Sequence, residues 1–214
     1  MYASKALNCK EMCRIVKEEG LGIDVVSGGE LFTALSVDFP VEKIVFHGNN
    51  KTQDELIMAI ESGVGRIVVD NLTELRTIEA LAKERDKNVG VMLRVKPGID
   101  AHTHNFIRTG QIDSKFGFAL ETGEAFEAVK EVIAQKNLTL KGLHCHIGSQ
   151  IFDVDPFKLA ARVMLELMAR LKNELSYEVE ELNLGGGFGI KYLKDDDAKP
   201  YELFICLLYT SRCV

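Results

Sequence analysis

The sequence predicts an α/β fold in which a parallel sheet is covered by helices, and three observations support this prediction. Short β-branched runs alternate with amphipathic stretches over nearly the whole length. The early strands follow one another at intervals of about 20–25 residues, which is typical of tight βα units. Seven strands fit the pattern, and a final one is missing. We therefore expect an incomplete (β/α)8 TIM-like barrel with about seven strands, rather than an open doubly wound sheet.

Each predicted element follows from a local pattern. The first strand is short and occupies Tyr2–Lys5, at the start of the chain. The other predicted strands are rich in Val, Ile and Leu and comprise Ile23–Val26, Ile44–Phe46, Arg66–Val69, Val89–Val95, Leu140–His146 and Val179–Leu184. The predicted helices have apolar residues at helical spacing and comprise Cys9–Glu19, Gly29–Leu35, Thr52–Ser62, Leu72–Lys83, Thr122–Gln135 and Pro156–Leu175.

Composition and charge exclude several classes of protein. The chain has 214 residues, of which 46% are hydrophobic and 27% charged, so it can bury a core. Its net charge of −6 argues against nucleic-acid binding. It contains no apolar run near the ~20 residues that span a bilayer, and its first residues lack the apolar core of a signal peptide. We therefore expect a cytoplasmic protein with no membrane partner, whose five cysteines are reduced.

Three positions carry candidate chemistry. Lys5 lies at the end of the first strand, where its amine could form a Schiff base with an aldehyde cofactor. The glycines of Leu184–Gly189 follow the seventh predicted strand, and consecutive glycines let backbone N–H groups approach a phosphate. His144 and His146 alternate on a strand and would share one face. The histidine pair fits either a metal or a flat cofactor ring packed on His146, with Ser149 near its phosphate.

The long connection Lys96–Thr122 is rich in Gly, His, Asp and Thr. A connection of this length inside a compact domain is usually functional, and in a barrel it would lie at the face that carries the active site. His102 and His104 are interpreted as loop residues. No further ligands of matching spacing accompany the histidines or the pair Cys9 and Cys13, so no metal site is expected.

Together these motifs resemble the fold-type III decarboxylases that act on ornithine, arginine and diaminopimelate. The shared motifs are Tyr-Ala-x-Lys-Ala, His-Ile-Gly-Ser and Gly-Gly-Gly-Phe, in the family's order. Longer stretches resemble the diaminopimelate branch, and they are Asp24–Leu31, His47–Thr52, Asp100–His104, Thr109–Gln111, Asp113–Gly117 and Gly142–Ile151. The resemblance covers residues 1 to about 193, which we assign to a truncated barrel domain that binds pyridoxal 5′-phosphate.

The resemblance implies a role for each matching residue. Lys5 would hold the cofactor and His146 would stack on its pyridine ring, both as catalytic residues. Ser149 and the glycines Gly185, Gly186 and Gly187 would hold the phosphate. Arg94 would lie near the phenolic oxygen of the cofactor, and Asp24 would lie near Lys5. Lys115 would lie at a homodimer interface.

The implied reaction is decarboxylation of meso-diaminopimelate to L-lysine and CO2, the last step of lysine biosynthesis. The same family uses a Glu-Pro-Gly-Arg motif and a C-terminal β-domain, and neither occurs in this sequence. We therefore expect the 214-residue chain alone to be nearly inactive. The alternatives are a decarboxylase of ornithine, arginine or carboxynorspermidine, an alanine-racemase-like enzyme, a barrel that binds the cofactor without catalysis, and a phosphate-binding barrel without pyridoxal phosphate.

The last part of the chain departs from the alternating pattern. Residues 194–205 form an acidic, polar stretch, and residues 206–214 have no strand or helix partner that the sequence indicates. The final residues can be back-translated into an inverted DNA repeat that resembles two joined transposon adapter ends. We interpret residues 206–214 as a non-native tail, which sequencing the source DNA across codon 205 would test.

Overall fold

The computed structural model describes residues 1–99 and 116–210, with side chains described through residue 206. Strands and helices alternate along the chain. The strands are β1 Tyr2–Ala3, β2 Ile23–Val25, β3 Ile44–Phe46, β4 Arg66–Val69, β5 Val89–Lys96, β6 Phe118–Ala119, β7 Leu138–His144 and β8 Glu181–Asn183. The helices are α1 Lys10–Glu18, α2 Gly28–Leu35, α3 Gln53–Ser62, α4 Leu72–Glu84, α5 Glu124–Ala134, α6 Asp155–Leu175 and α7 Tyr201–Thr210.

The chain forms two compact units. The first consists of Met1–Leu93 and Ala128–Lys141, and the second of the described residues of Arg94–Glu127 and of those from Gly142 onward. The strands β5 and β7 contribute residues to both units. Lys5 and Asp24 therefore belong to the first unit, whereas the other predicted site residues belong to the second.

All strand pairs are parallel and follow the order of the chain. In the first unit β1 pairs with β2, β2 with β3, β3 with β4 and β4 with β5. The Val89 N–H, at the start of β5, donates to the Asn137 carbonyl oxygen just before β7 at 2.9 Å. In the second unit β7 pairs with β8, and β5 ends beside the short β6. Seven main strands in chain order, each separated by a helix, make the fold α/β and confirm the prediction of an incomplete (β/α)8-type barrel.

The sheet of the first unit is buried on both faces. Ile44, Val45 and Phe46 are all nearly inaccessible, as expected for a parallel strand covered on both sides. Val45 packs with Val68 and Met92, which come from the next two strands, in one apolar cluster. Burial of this kind explains why the strands are continuous runs of Val, Ile and Phe.

Helices α2, α3 and α4 begin with the same kind of N-cap. The side chains of Ser27, Thr52 and Asn71 each accept a hydrogen bond from the backbone N–H of a glutamate three residues later. At Thr52 the reciprocal bond is also formed, which confirms the capping box that the sequence predicted.

The three glutamates also bind the preceding loop, and we call Glu30, Glu55 and Glu74 the glutamate series. The Ser4 hydroxyl donates to Glu30 at 2.5 Å. The Gly28 N–H donates to Glu55 at 2.6 Å, and the Lys51 ammonium pairs with Glu74 at 2.7 Å. Burial raises the pKa of the Glu55 carboxyl, but hydrogen bonds from Gly28 and Thr52 outweigh this effect and leave the pKa below its usual value.

Several predicted boundaries are corrected. Lys5 is not part of the first strand, because β1 ends at Ala3 and Ser4–Ala6 form a 3₁₀ turn. The strand β7 ends at His144, so His146 lies beyond it and the two histidines do not alternate on one strand. The sequence indicated no element for the last part of the chain, whereas Tyr201–Thr210 form α7.

The predicted long connection Lys96–Thr122 contains a short strand near its end. This strand is β6, whose Phe118 pairs with Val95 of β5. His102, His104 and Lys115 lie outside the described residues, so their predicted placements stay predictions. Among the helices that the structure describes, none has the length and apolar character needed to cross a membrane.

Candidate functional site

Lys5 follows the first strand of the first unit. It is exposed, whereas the preceding Ser4 is completely buried and donates its hydroxyl hydrogen to Glu30. Glu30 also accepts the Val26 N–H at 2.9 Å. The backbone beside Lys5 is therefore anchored to the N-terminus of α2 while the lysine amine stays accessible to a ligand.

Asp24 lies on β2 directly beside Ala3 in the strand register. One carboxylate oxygen, Oδ2, is 2.6 Å from Nδ1 of His47, which follows β3. The other oxygen, Oδ1, is buried and has no hydrogen-bond partner within residues 1–99 and 116–210. A buried carboxylate oxygen without a partner is costly, and it commonly marks the place of a bound water, ion or ligand.

His47 is a site residue that the sequence did not single out. Val45 is the register partner of Asp24, and His47 lies two residues further along. Although β3 ends at Phe46, the His47 N–H donates to the Val25 carbonyl oxygen at 2.8 Å, and this bond keeps His47 beside β2 and next to Asp24. The parallel order of the predicted strands Ile23–Val26 and Ile44–Phe46 was the sequence signal that could have found this neighbour.

In the second unit the predicted phosphate loop lies against the His146 segment. The carbonyl oxygen of Gly187 accepts the Ile151 N–H at 2.9 Å. A Cβ atom on Gly185 would come within 2.7 Å of the Cys145 carbonyl oxygen and 2.8 Å of Nδ1 of His146. The structure thus brings His146 and the glycines together, as predicted.

The glycine loop has the properties of an anion cradle. Gly185 and Gly187 have φ angles of +74° and +97°, which favour glycine. A Cβ atom on Gly186 would meet nothing within 4 Å. The N–H groups of Gly186 and Gly187 have no acceptor within the described part of the chain, and the nearby Ser149 is exposed. Consecutive unpaired N–H groups, with open space beside Gly186, are the features expected of a loop that binds a phosphate.

Arg94 lies within β5 and not at its end, and its guanidinium stacks on the Phe116 ring at 4.8 Å. Its backbone is approached closely by Gly117, whose φ is +82°. A Cβ atom at Gly117 would lie 2.6 Å from the Arg94 carbonyl oxygen. The stacked ring and the glycine fix the strand and the direction of the arginine side chain.

Cys145 lies between the two histidines and is completely buried. Burial raises the pKa of its thiol to about 12, although the positive charge of Arg94 opposes the shift. The thiolate is the reactive form of cysteine, so Cys145 should be inert at neutral pH.

We therefore expect iodoacetamide at pH 8 to modify the native protein at Cys9, which is exposed, and not at Cys145. Peptide mass spectrometry after brief labelling would measure this difference, with protein unfolded in urea as the control in which both residues react. Labelling of native Cys145 as fast as Cys9 would contradict the assignment.

The structure offers no support for a metal at the histidines. Within the described ranges, no group of three or more His, Cys, Asp or Glu side chains is arranged to hold a metal ion. His144 is buried at the end of β7, and His146 is partly exposed beyond it. The interpretation of His146 as the residue packed on a flat cofactor ring stays a prediction.

A parallel α/β fold with a lysine after the first strand and a glycine loop after the last is the arrangement expected of a barrel protein that binds a phosphorylated cofactor. The family model described as the pyridoxal-dependent decarboxylase pyridoxal binding domain matches residues 1–210. This chain belongs to that family.

Individual relatives agree with the family. The chain is 52% identical over 204 residues to a diaminopimelate decarboxylase from Bacillus methanolicus, covering 95% of this chain and 47% of the relative. It is 50% identical to the Bacillus subtilis enzyme over 92% of this chain and 45% of that protein. The crystal structure of diaminopimelate decarboxylase from M. jannaschii matches 98% of this chain and 48% of its own, with 38% identity and a TM-score of 0.90. The chain spans about half the length of these relatives.

Proposed function

We propose that the complete protein containing this chain is a pyridoxal-phosphate-dependent decarboxylase that converts meso-diaminopimelate to L-lysine and CO2. The observation that carries the proposal is the identity of about half of all residues to diaminopimelate decarboxylases, over 95% of this chain. A related structure, of the M. jannaschii enzyme in complex with L-lysine, matches this chain with a TM-score of 0.91 and supports an amino-acid ligand.

The residues present fit the cofactor. Lys5 would hold it through an accessible amine, and the N–H groups of Gly186 and Gly187 would bind its phosphate. Gly185 would allow the close approach of His146, whose ring would stack on the cofactor. Bound pyridoxal phosphate supplies an electron sink for the electron pair that remains when the substrate carboxylate leaves as CO2.

Three other side chains would bind the phosphate of the cofactor, balance charge or accept a hydrogen bond. Ser149 would donate its hydroxyl to the phosphate, and Arg94 would provide a fixed positive charge near the phenolic oxygen. Asp24 would accept a hydrogen bond through Oδ1, the oxygen that His47 leaves free. Asp24 is held by His47, and Arg94 by the Phe116 ring, before a ligand arrives, which lowers the cost of ordering each side chain.

Replacing Lys5 by alanine should abolish covalent attachment of the cofactor. The complete protein would be incubated with pyridoxal phosphate, reduced with borohydride and analysed by peptide mass spectrometry. We expect the cofactor mass on the Lys5 peptide of the unaltered protein and on no peptide of the K5A variant. K10A, which removes the exposed lysine at the start of α1, is the matched control and should retain attachment. Attachment that survives K5A would contradict the role of Lys5.

The substrate is tested by measuring CO2 release from meso-diaminopimelate, ornithine and arginine side by side with the complete gene product. Release mainly from diaminopimelate, with L-lysine formed, would support the proposal. Release from ornithine or arginine would keep the fold and Lys5 but assign the protein to another branch of the family. Cofactor attachment without any release would favour a binding protein without catalysis.

The proposal includes a cytoplasmic homodimer that acts on a small amino acid. This assembly is implied by the family resemblance, in which Lys115 would contact the second subunit. Sedimentation of the complete protein with and without the K115E substitution would test it, because a charge reversal at an interface lysine should shift the equilibrium towards monomer.

A further inference from the structure

Asp24 lies on a strand between two neighbouring strands, and His47, which follows one of them, binds its carboxylate. Asp24 is aligned with Ala3 on one side and with Val45 on the other. Lys5 follows Ala3 by two residues, and His47 follows Val45 by two. By register, Asp24 therefore occupies the strand between the lysine and the histidine.

His47 fixes one end of the Asp24 carboxylate and leaves the other end available. Nδ1 of His47 is 2.6 Å from Oδ2, which makes a short hydrogen bond to the carboxylate. Both side chains are largely buried, with exposures of 12% for His47 and 20% for Asp24. The bond therefore forms with little competition from water, and it restricts rotation of the carboxylate about its terminal torsion.

The free oxygen indicates where the carboxylate acts. Oδ1 of Asp24 is buried without a partner in the described residues. Native structures rarely leave such an atom unsatisfied unless a ligand or water completes it. The backbone on the histidine side is also fixed, because the His47 N–H donates to the Val25 carbonyl oxygen at 2.8 Å.

We propose that His47 is a positioning residue of the Lys5 site, which holds Asp24 so that Oδ1 accepts a hydrogen bond from an N–H donor of the loaded site. This inference rests on the proposed function, since it requires that Lys5 carries the cofactor. His47 acts through Asp24 and need not contact substrate or cofactor. Preorganised groups of this kind raise the rate at which a ligand reaches its reactive geometry.

The test compares variants of the complete protein that differ in where they place a donor. H47L removes the donor, H47N keeps an amide donor near the position of Nδ1, and H47Q moves it towards the position of Nε2. T52A is the matched control, since it removes the cap of α3 in the same loop without touching Asp24. The readout is the rate at which cofactor becomes covalently attached to Lys5 of the apoprotein, trapped by borohydride, together with the absorbance of the bound cofactor and the melting temperature.

We expect H47L and H47Q to slow attachment by about tenfold, the effect of one lost charge-assisted hydrogen bond, and H47N to remain within about threefold of the unaltered protein. D24A and D24A/H47L should be equally slow, because His47 has no effect once the side chain it binds is removed. T52A should lower the melting temperature and leave attachment unchanged. If H47L fails to fold, the comparison of H47N with H47Q decides the outcome.

Two results would overturn the inference. Unaltered attachment rates in H47L and H47Q would remove the role of His47 while leaving the cofactor on Lys5. A further slowing of D24A/H47L relative to D24A would show that His47 does not act through Asp24. Absence of cofactor from Lys5 in the unaltered protein would instead overturn the proposed function, and the inference with it.

Discussion

Replacing Lys51 by alanine should lower the free energy of unfolding by about 3–5 kcal/mol, the cost of breaking a buried ion pair. The side chains of Lys51 and Glu74 are only 1% and 8% exposed, and their charged atoms are 2.7 Å apart. The Lys51 ammonium also donates to the carbonyl oxygens of Gly48 and Val68. Removing it leaves the Glu74 carboxylate buried without its counter-charge.

Urea unfolding followed by circular dichroism would measure the effect. R14A is the control, because Arg14 pairs with Glu11 on the exposed surface of α1, where an ion pair contributes about 0–1 kcal/mol. Equal unfolding midpoints for K51A and R14A would contradict the assignment. The double variant K51M/E74L should recover part of the lost stability, since it removes both charges together.

Replacing Gly187 by alanine should also destabilise the protein strongly. The strained φ angle alone should lower the free energy of unfolding by at least about 2 kcal/mol. A Cβ atom at this position would overlap the Gly148 carbonyl oxygen, and the φ angle of +97° is unfavourable for alanine. The change should therefore separate the glycine loop from the His146 segment. Both stability and cofactor binding should be lost.

Gly186 provides the matched comparison. A Cβ atom there has open space around it, so G186A should unfold at nearly the same urea concentration as the unaltered protein. If the open space holds the cofactor phosphate, G186A should nevertheless weaken cofactor binding in an equilibrium absorbance titration. A G187A protein as stable as G186A would contradict the close approach of the two loops.

The sequence predicted the elements whose signals are local. The capping box of Thr52 and Glu55 depends on two residues in one turn, and the structure contains it as predicted. The glycine loop after the last strand was predicted for the same reason, since consecutive glycines have few other uses. The strands were predicted because Ile44–Phe46 and their counterparts are apolar on both faces.

The features that the sequence missed depend on contacts between distant residues. Lys51 is buried, although lysine is rarely fully buried, because Glu74 from the next helix compensates its charge. The bond between Asp24 and His47 joins residues 23 positions apart and depends on strand register. Helix α7 was not predicted because the sequence around it departs from the strand–helix alternation of the preceding chain.

The glutamate series has a consequence for recombination between relatives. Each glutamate belongs to one βα unit and binds the loop of the unit before it, so the smallest exchangeable segment is not a single βα unit. A chimera whose junction lies between Ser4 and Glu30, or between Lys51 and Glu74, combines partners from two parents and depends on both having matching residues. The spans Ser4–Glu30, Gly28–Glu55 and Lys51–Glu74 overlap, so a junction anywhere between Ser4 and Glu74 separates at least one pair. The segment that keeps every contact within one parent is therefore the whole run from Ser4 to Glu74.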